Sequence, residues 1–248
     1  MRKKRKRLIL AAAIAVSAAV VLLALVWYKI ISLTGVWAER FEVQGVDVSH
    51  YQGEIDWQKI QDAQMQFAFI KATEGSSHID ACFAYNWREA AKTDMRIGAY
   101  HFFSFDSPPQ TQAELFIQTV GTLSGKLPPV VDVEFYGDKE KDPPDEGETA
   151  ENVKEMLDIL ERQYGNKPIL YTTYEVYDKY IRGRFEEYPL WIRNVYYTPD
   201  FDLDRKWMFW QYADSTEMEG YQGKEKYIDR NVFHGTKEEL DQLLLGTD

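Results

Sequence analysis

From about residue 44 onward, short apolar runs alternate with stretches whose apolar positions recur at helical spacing. The runs are "GVDVS" (45–49), "FAFIKA" (67–72), "IGAYHFF" (97–103), "VVDVEF" (130–135) and "ILYTT" (169–173). Their β-branched and aromatic content, and their length, predict buried strands. Between them, "DWQKIQDAQ" (56–64), "FAYNWREAAKT" (83–93), "PPQTQAELFIQTV" (108–120) and "TAENVKEMLDILERQYG" (149–165) predict helices. Asp56 and Thr149 suit helix caps, Pro108 and Pro109 a first turn, and Gly121 and Gly165 helix stops. After residue 173 the helical pattern thins. "YPLWIRNVY", "WMFWQYAD" and "YIDRNVF" follow as strands joined by loops, and "KEELDQLLL" closes as a helix. Strand–helix alternation implies parallel pairing through right-handed crossovers. About eight strands, with helices dense in the first five units and sparse later, predict an α/β fold: an irregular, TIM-like β/α barrel.

The N-terminus breaks this pattern. Met-Arg-Lys-Lys-Arg-Lys-Arg precedes "LILAAAIAVSAAVVLLALVWY", which carries no charge before Lys29. About 20 apolar residues match the hydrocarbon thickness of a bilayer. A cleaved signal peptide has a shorter apolar region followed by a small-residue site, whereas bulky "VWYKIISLTGVW" follows here. The expectation is therefore an uncleaved, single-pass transmembrane anchor with its basic end in the cytoplasm and the remainder outside; cleavage would make the protein secreted. The chain divides into a basic tip and anchor (1–29), a link (30–43) and one domain (44–248).

Charge changes the picture once that segment is set aside. The first 29 residues hold seven of the 29 Lys and Arg and none of the 40 Asp and Glu, so the remainder carries a formal −18. That balance argues against nucleic acid, whose binding rests on phosphate neutralisation. The single cysteine, Cys82, excludes an internal disulfide and a cysteine-based zinc site. No sequence feature fixes an oligomeric state.

The chemistry concentrates in "LPPVVDVEF" (127–135), an apolar strand carrying Asp132 and Glu134. Residues i and i+2 of a strand share a face, about 6–7 Å apart at Cβ. Two carboxylates that close, in an apolar setting, cost several kcal/mol unless paired or protonated. Active faces of parallel barrels form at the C-terminal ends of strands. Asp47 lies late in the first strand, Asp229 in the last, and Glu74 follows "FIKAT". In a closed barrel the first and last strands are neighbours, so Asp47 and Asp229 become adjacent. The histidines are scattered, no calcium-loop spacing is present, and no serine elbow, P-loop or dinucleotide fingerprint occurs. Neither a metal nor another cofactor is implied. Tyr51, Tyr100, Phe102, Phe135, Tyr136, Tyr171, Tyr174, Trp191, Trp210 and Tyr212 fall in or after strands; half are expected in the core, because alternate strand side chains face the helix layer. Acids among aromatic rings suit a sugar site: rings cover pyranose faces, and carboxylates serve glycoside hydrolysis.

"GVDVSHYQGEIDW", "FAFIKATEG", "IGAYHFF", "PPVVDVEF", "LW" (190–191), "FWQY" (209–212) and "IDRNVF" occur in an order that resembles glycoside hydrolase family 25, the Chalaropsis-type lysozymes or N-acetylmuramidases. The resemblance covers about Gln44 to Phe233. It implies a barrel of five β/α units plus three strands, and cleavage of the β-1,4 bond between N-acetylmuramic acid and N-acetylglucosamine in peptidoglycan. By position, Glu134 resembles the general acid and Asp132 its partner, with Asp47 and Asp229 as further acids of the cleft. Tyr100 and Trp191 match aromatic positions near the sugar, and Gln211 a polar one; Tyr136, Tyr174 and Glu74 are further candidate substrate contacts at strand ends. Arg193 departs from the family, which usually has a small residue there, and the acidic loop 137–148 is longer than expected.

On this reading Glu134 has a raised pKa and stays protonated near neutrality, while Asp132 stays ionised. Asp132 would steer the substrate's 2-acetamido group as nucleophile or support direct attack by water. Two other readings remain: a chitinase-like acetamido-sugar glycosidase, against which Pro128–Val131 stand where further aspartates belong, and a catalytically silent peptidoglycan-binding tether. The partners expected are peptidoglycan glycan strands and, through the N-terminal helix, the membrane.

Overall fold

The computed structural model describes residues 2–27 and 33–246. Eight strands close into a barrel: β1 (Val43–Val48), β2 (Phe67–Glu74), β4 (Arg96–Phe102), β5 (Val130–Val133), β6 (Ile169–Thr173), β7 (Leu190–Arg193), β8 (Phe209–Thr216) and β9 (Ile228–Phe233). The two-residue β3 (His78–Ile79) folds back on β2 outside the ring. Pairing is parallel from β1 through β8. β9 runs antiparallel to both β8 and β1 and completes the ring. The helices are α1 (Arg2–Trp27), α2 (Leu33–Ala38), α3 (Trp57–Asp62), α4 (Phe83–Ala90), α5 (Pro109–Val120), α6 (Glu146–Tyr164), the short α7 (Tyr174–Val176) and α8 (Lys237–Asp241). A π-turn, Tyr177–Ile181, extends α7. Only the first five barrel strands are followed by crossover helices, as the thinning pattern predicts.

Alternation along the strands separates two apolar regions. Val43, Phe67, Phe69, Val130, Ile169, Trp191, Phe209 and Phe233 pack together inside the barrel. Their strand neighbours Val46, Ala68, Ile70, Val131, Leu170, Ile192, Trp210 and Val232 face the helix layer with Phe116, Val153 and Leu157. Each large apolar side chain so buried contributes about 1.5–3 kcal/mol. Two glycines make room for interior rings: a Cβ on Gly45 would lie 2.5 Å from Phe67, and one on Gly98 2.5 Å from Phe69. Larger residues there would force the aromatic stack apart.

Several expected boundaries move. Asp145, not Thr149, caps α6, its side chain accepting from the Glu148 amide; Thr149 is buried on the helix. Glu146 and Glu148 favour this earlier start because anions stabilise a helix N-terminus. The acidic loop is correspondingly shorter than its sequence implies. β5 ends at Val133, so Glu134 projects from the first residue beyond the ladder.

The expected link is largely structured. Thr34 and Ala38 are buried, and the Phe41 ring meets Trp207 and Trp210 edge-on at 5.3 and 6.3 Å. The packed domain therefore reaches back to about residue 34, and residues 30–32 of the expected link lie outside the described residues. The expected membrane-spanning segment is not found: no helix among the described residues is long and apolar enough to cross a membrane. The stretch of α1 whose side chains are described without a break, 4–21, includes Lys4, Arg5, Lys6 and Arg7, which shortens the uncharged run within it.

Candidate active site

The inward-facing alternation that fills the barrel with rings continues, one step further along each strand, as a polar girdle. Asp47 follows Val43 and Gly45 on β1, and Lys71 follows Phe67 and Phe69 on β2. Tyr100 follows Gly98, Asp132 follows Val130, Tyr171 follows Ile169, Arg193 follows Trp191, and Gln211 follows Phe209. β9 runs the other way, so Asn231 and Asp229 precede Phe233 in sequence yet reach the same end of the barrel. Most of these residues line a cleft of about 450 Å³, together with Glu134, Phe102, Asp214 and a rim of Ser49, Tyr51, Gln52, Glu225 and Tyr227.

Hydrogen bonds fix the far wall. Gln211 Nε2 and Asn231 Nδ2 both donate to Asp47 Oδ2, at 2.8 and 2.7 Å. Tyr171 Oη donates to Gln211 Oε1 (3.0 Å), and Trp191 Nε1 to Asn231 Oδ1 (2.9 Å). Each amide thus has its orientation set by an aromatic donor behind it. Trp191 packs against Phe69, the rings tilted with centroids 4.7 Å apart, and is only 2% exposed, so it serves more as a wall and donor than as an open sugar platform.

Burial raises all four acids. It pushes Glu134 to about 7, with the Arg193 and Lys71 charges opposing the rise and Asp47 adding to it. Asp132 is driven well above the usual carboxylate range by burial and by the Glu134 charge. Asp229 rises for the same reasons, with Asp47 the leading like charge. Asp47 rises through burial, moderated by Asn231 and Gln211 and by a hydrogen bond shared with Asp229. Low dielectric and mutual repulsion keep four neighbouring carboxyls from ionising together. The expectation that Glu134 is protonated near neutrality agrees with this environment. The expectation that Asp132 stays ionised does not: Asp132 is the more deeply buried, and its Oδ1 has no hydrogen-bond partner among the described residues.

Two cations line the cleft. Lys71 is buried, 2.7 Å from Glu74 and 4.7 Å from the centroid of the Phe102 ring. Arg193 Nη2 donates to Asp214 Oδ2 at 2.6 Å. Their sequence signal is weak, a lysine inside "FAFIKA" and an arginine in "LWIRN", yet an ionic residue inside an apolar strand is the same anomaly that marks Asp132. Asn231 and Asp214 carry no such signal.

The structure thus brings Asp47, Asp132, Glu134, Asp229, Tyr100, Trp191 and Gln211 to one cleft. Glu74, Tyr136 and Tyr174 are not among its lining residues. Glu74 pairs with Lys71 instead. Tyr136 Oη accepts from the Phe105 amide (3.1 Å) and contacts Ser104 Oγ and Asp106 Oδ2, bracing the loop after β4. Tyr174 donates to Asp202 Oδ1 (2.8 Å) and lines an adjoining hollow. Half of the ten aromatics at strand ends line the cleft, namely Tyr51, Tyr100, Phe102, Tyr171 and Trp191. His101, the one histidine in a strong strand, is buried on the helix side between Thr73 and Gln112, and burial lowers it to about 4. Among the described residues no three His, Cys, Asp or Glu are placed to hold a metal ion.

An acid that keeps its proton at neutrality, beside further carboxyls and aromatic walls in an open cleft, can protonate a leaving oxygen and offset positive charge at the reacting carbon. The family comparison agrees. The profile of glycosyl hydrolases family 25 matches residues 46–221, and the chain belongs to that family: it is a glycoside hydrolase. A solved family-25 glycosyl hydrolase from Bacillus anthracis is 50% identical, with a TM-score of 0.79 over 83% of this chain and 95% of that one. The chain is 38% identical to the uncharacterized protein YegX of Escherichia coli K12, across 83% of this chain and 75% of that one. It is also 29% identical to lysozyme M1 of Streptomyces globisporus, across 85% of this chain and 74% of that one.

Proposed function

We propose that this protein is a lysozyme of the N-acetylmuramidase type, hydrolysing the β-1,4 bond between N-acetylmuramic acid and N-acetylglucosamine in peptidoglycan. The observation that carries the reading is Glu134, half-buried just beyond the end of β5 with a pKa near 7, in a cleft whose other acids crowd it. The similarity to lysozyme M1 supports the choice of substrate.

Glu134 protonates the glycosidic oxygen as the C1–O bond breaks. Asp132, whose Oδ1 is unpartnered among the described residues, accepts a hydrogen bond from the substrate's 2-acetamido N–H or from the attacking water. Asp47 and Asp229, sharing a hydrogen bond and so at most one negative charge between them, face the oxocarbenium-like centre, and Tyr100 and Trp191 bound the sugar. After departure of the leaving sugar, Glu134 accepts a proton from the incoming water and is restored.

We further propose that the protein acts outside the cytoplasm, in cell-wall remodelling, the basic tip and apolar run of α1 directing it there. Cell fractionation tests this: recovery of the full-length protein in the cytosol alone would remove the proposal.

The decisive experiment is digestion of purified peptidoglycan by the protein and by Glu134→Gln, with the products reduced and identified by mass spectrometry. Muropeptides with reducing-end N-acetylmuramic acid, absent with the variant, are expected. Reducing-end N-acetylglucosamine would mean that the wrong bond has been assigned. Wall binding without products would mean a tether.

A further inference from the structure

Arg193 lines two spaces. On one side is the acid cleft; on the other is a hollow of about 340 Å³ whose walls include Phe135, Tyr174, Tyr196 and Tyr197. Arg193 belongs to the lining of both spaces, so a chain-like substrate in the cleft has this side chain between it and the hollow. We propose that Arg193 and this tyrosine-lined hollow bind the acidic peptide branch of the glycan, Arg193 pairing with a branch carboxylate. The inference rests on the muramidase reading, because it is the muramic acid lactyl group that carries such a branch.

Three observations favour it. First, of the two cations lining the cleft, Lys71 is committed: its side chain is 8% exposed and bound to Glu74, whereas that of Arg193 is 32% exposed. Second, the guanidinium is held without being consumed. Among the described residues its one hydrogen bond goes to Asp214, and a guanidinium has five donors in a planar fork that matches a carboxylate in bidentate fashion. Third, the hollow has the character of a peptide site. Aromatic side chains offer apolar area, Tyr196 is 54% exposed, and Glu140 and Glu175 in the same lining supply negative charge for an amino group of the branch. With Lys71 engaged by Glu74, Arg193 is the cation of the cleft left with donors to receive a carboxylate.

The test compares soluble peptide-bearing muropeptide fragments with the same fragments after amidation of their carboxylates, at about pH 5.5, below the Glu134 titration, for the wild type, Arg193→Ala and Arg193→Lys. Wild-type KM is expected to rise about tenfold on amidation, the loss of one charge-assisted pair. Arg193→Ala is expected to lose about tenfold on native fragments, carried by KM, and about twofold or less on amidated ones. Arg193→Lys, which keeps the charge and loses the fork, should fall between. Equal losses on both substrates would overturn the proposal in favour of a general role in holding the site, and so would no loss on either. The wild-type comparison needs no variant to fold. Calorimetric binding of native and amidated fragments to Glu134→Gln separates the two levels of inference. Wild-type inactivity with carboxylate-dependent binding would remove the muramidase reading alone. Binding indifferent to amidation would remove this one.

Discussion

Asp47 and Asp229 stand opposite each other across the antiparallel pair β1–β9, as direct register partners at the mouth of the barrel. The protein therefore places two carboxyls side by side where the ring closes, and a third and fourth, Asp132 and Glu134, in the same cleft from β5 and the residue beyond it. Such an arrangement favours protons over charge. Its consequences for stability and rate can be measured separately.

Stability should fall as pH rises. All four acids have raised pKa values in the folded protein, so the folded state binds more protons than the unfolded chain above the ordinary carboxylate range. Their contribution is fully present below about pH 4 and is lost as pH rises, for Glu134 through about 7. Glu134 alone would then account for about 3 kcal/mol between those limits. Asp132→Asn and Asp229→Asn are expected to raise Tm at about pH 8 and leave it nearly unchanged at about pH 4. Calorimetric scans across this range check it; a variant gain independent of pH would argue against proton linkage.

The rate should show an alkaline limb near pH 7, where Glu134 loses the proton it must donate. Arg193 and Lys71 both favour the ionised form of Glu134, so removing either cation moves the limb upward. Profiles of kcat/KM against pH for Lys71→Met and Arg193→Ala are expected to shift in that direction, whereas Glu74→Gln, at an acid 44% exposed, should shift little. A downward shift for Lys71→Met would mean that Lys71 does not face Glu134 in solution.

The Trp191–Asn231–Asp47 relay predicts coupled losses. Trp191→Phe leaves the buried Asn231 Oδ1 without its donor, at a cost of about 1–3 kcal/mol. Because Asn231 also orients Asp47, activity should fall with stability. A double-mutant cycle with Asn231→Ala should show non-additive effects on kcat, and strictly additive ones would dissolve the relay.

Tyr136→Phe separates bracing from chemistry. The hydroxyl ties Ser104, the Phe105 amide and Asp106 together away from the cleft lining. Its loss should lower stability by about 1 kcal/mol while kcat/KM stays within about twofold. A large fall in kcat/KM with unchanged Tm would return Tyr136 to the substrate.

What the sequence determines by itself follows from local rules. Short continuous apolar runs and helical periodicity define about eight strands with helices dense in the first five units, and the i, i+2 acids in an apolar strand point to Asp132 and Glu134. Adjacency of Asp47 and Asp229 follows from the closure of a ring alone. The start of α6 is legible locally too, because Asp145 is the stronger cap and Glu146 and Glu148 suit a first turn; packing agrees by burying Thr149 and leaving Asp145 exposed. The tertiary structure decides what depends on phase and on distance through space. Which aromatics reach the cleft depends on where each strand stops: Tyr100 and Trp191 lie within β4 and β7 on the inward face, whereas Tyr136 falls in the loop beyond β5 and Tyr174 opens α7. Which acids keep their protons is set by burial and by charges from other strands. Asp132 and Glu134 are two residues apart, yet their protonation answers to Lys71, Asp47 and Arg193 on β2, β1 and β7. A local pattern can nominate a carboxylate, but its charge state depends on the dielectric and the neighbours that only the closed barrel assembles.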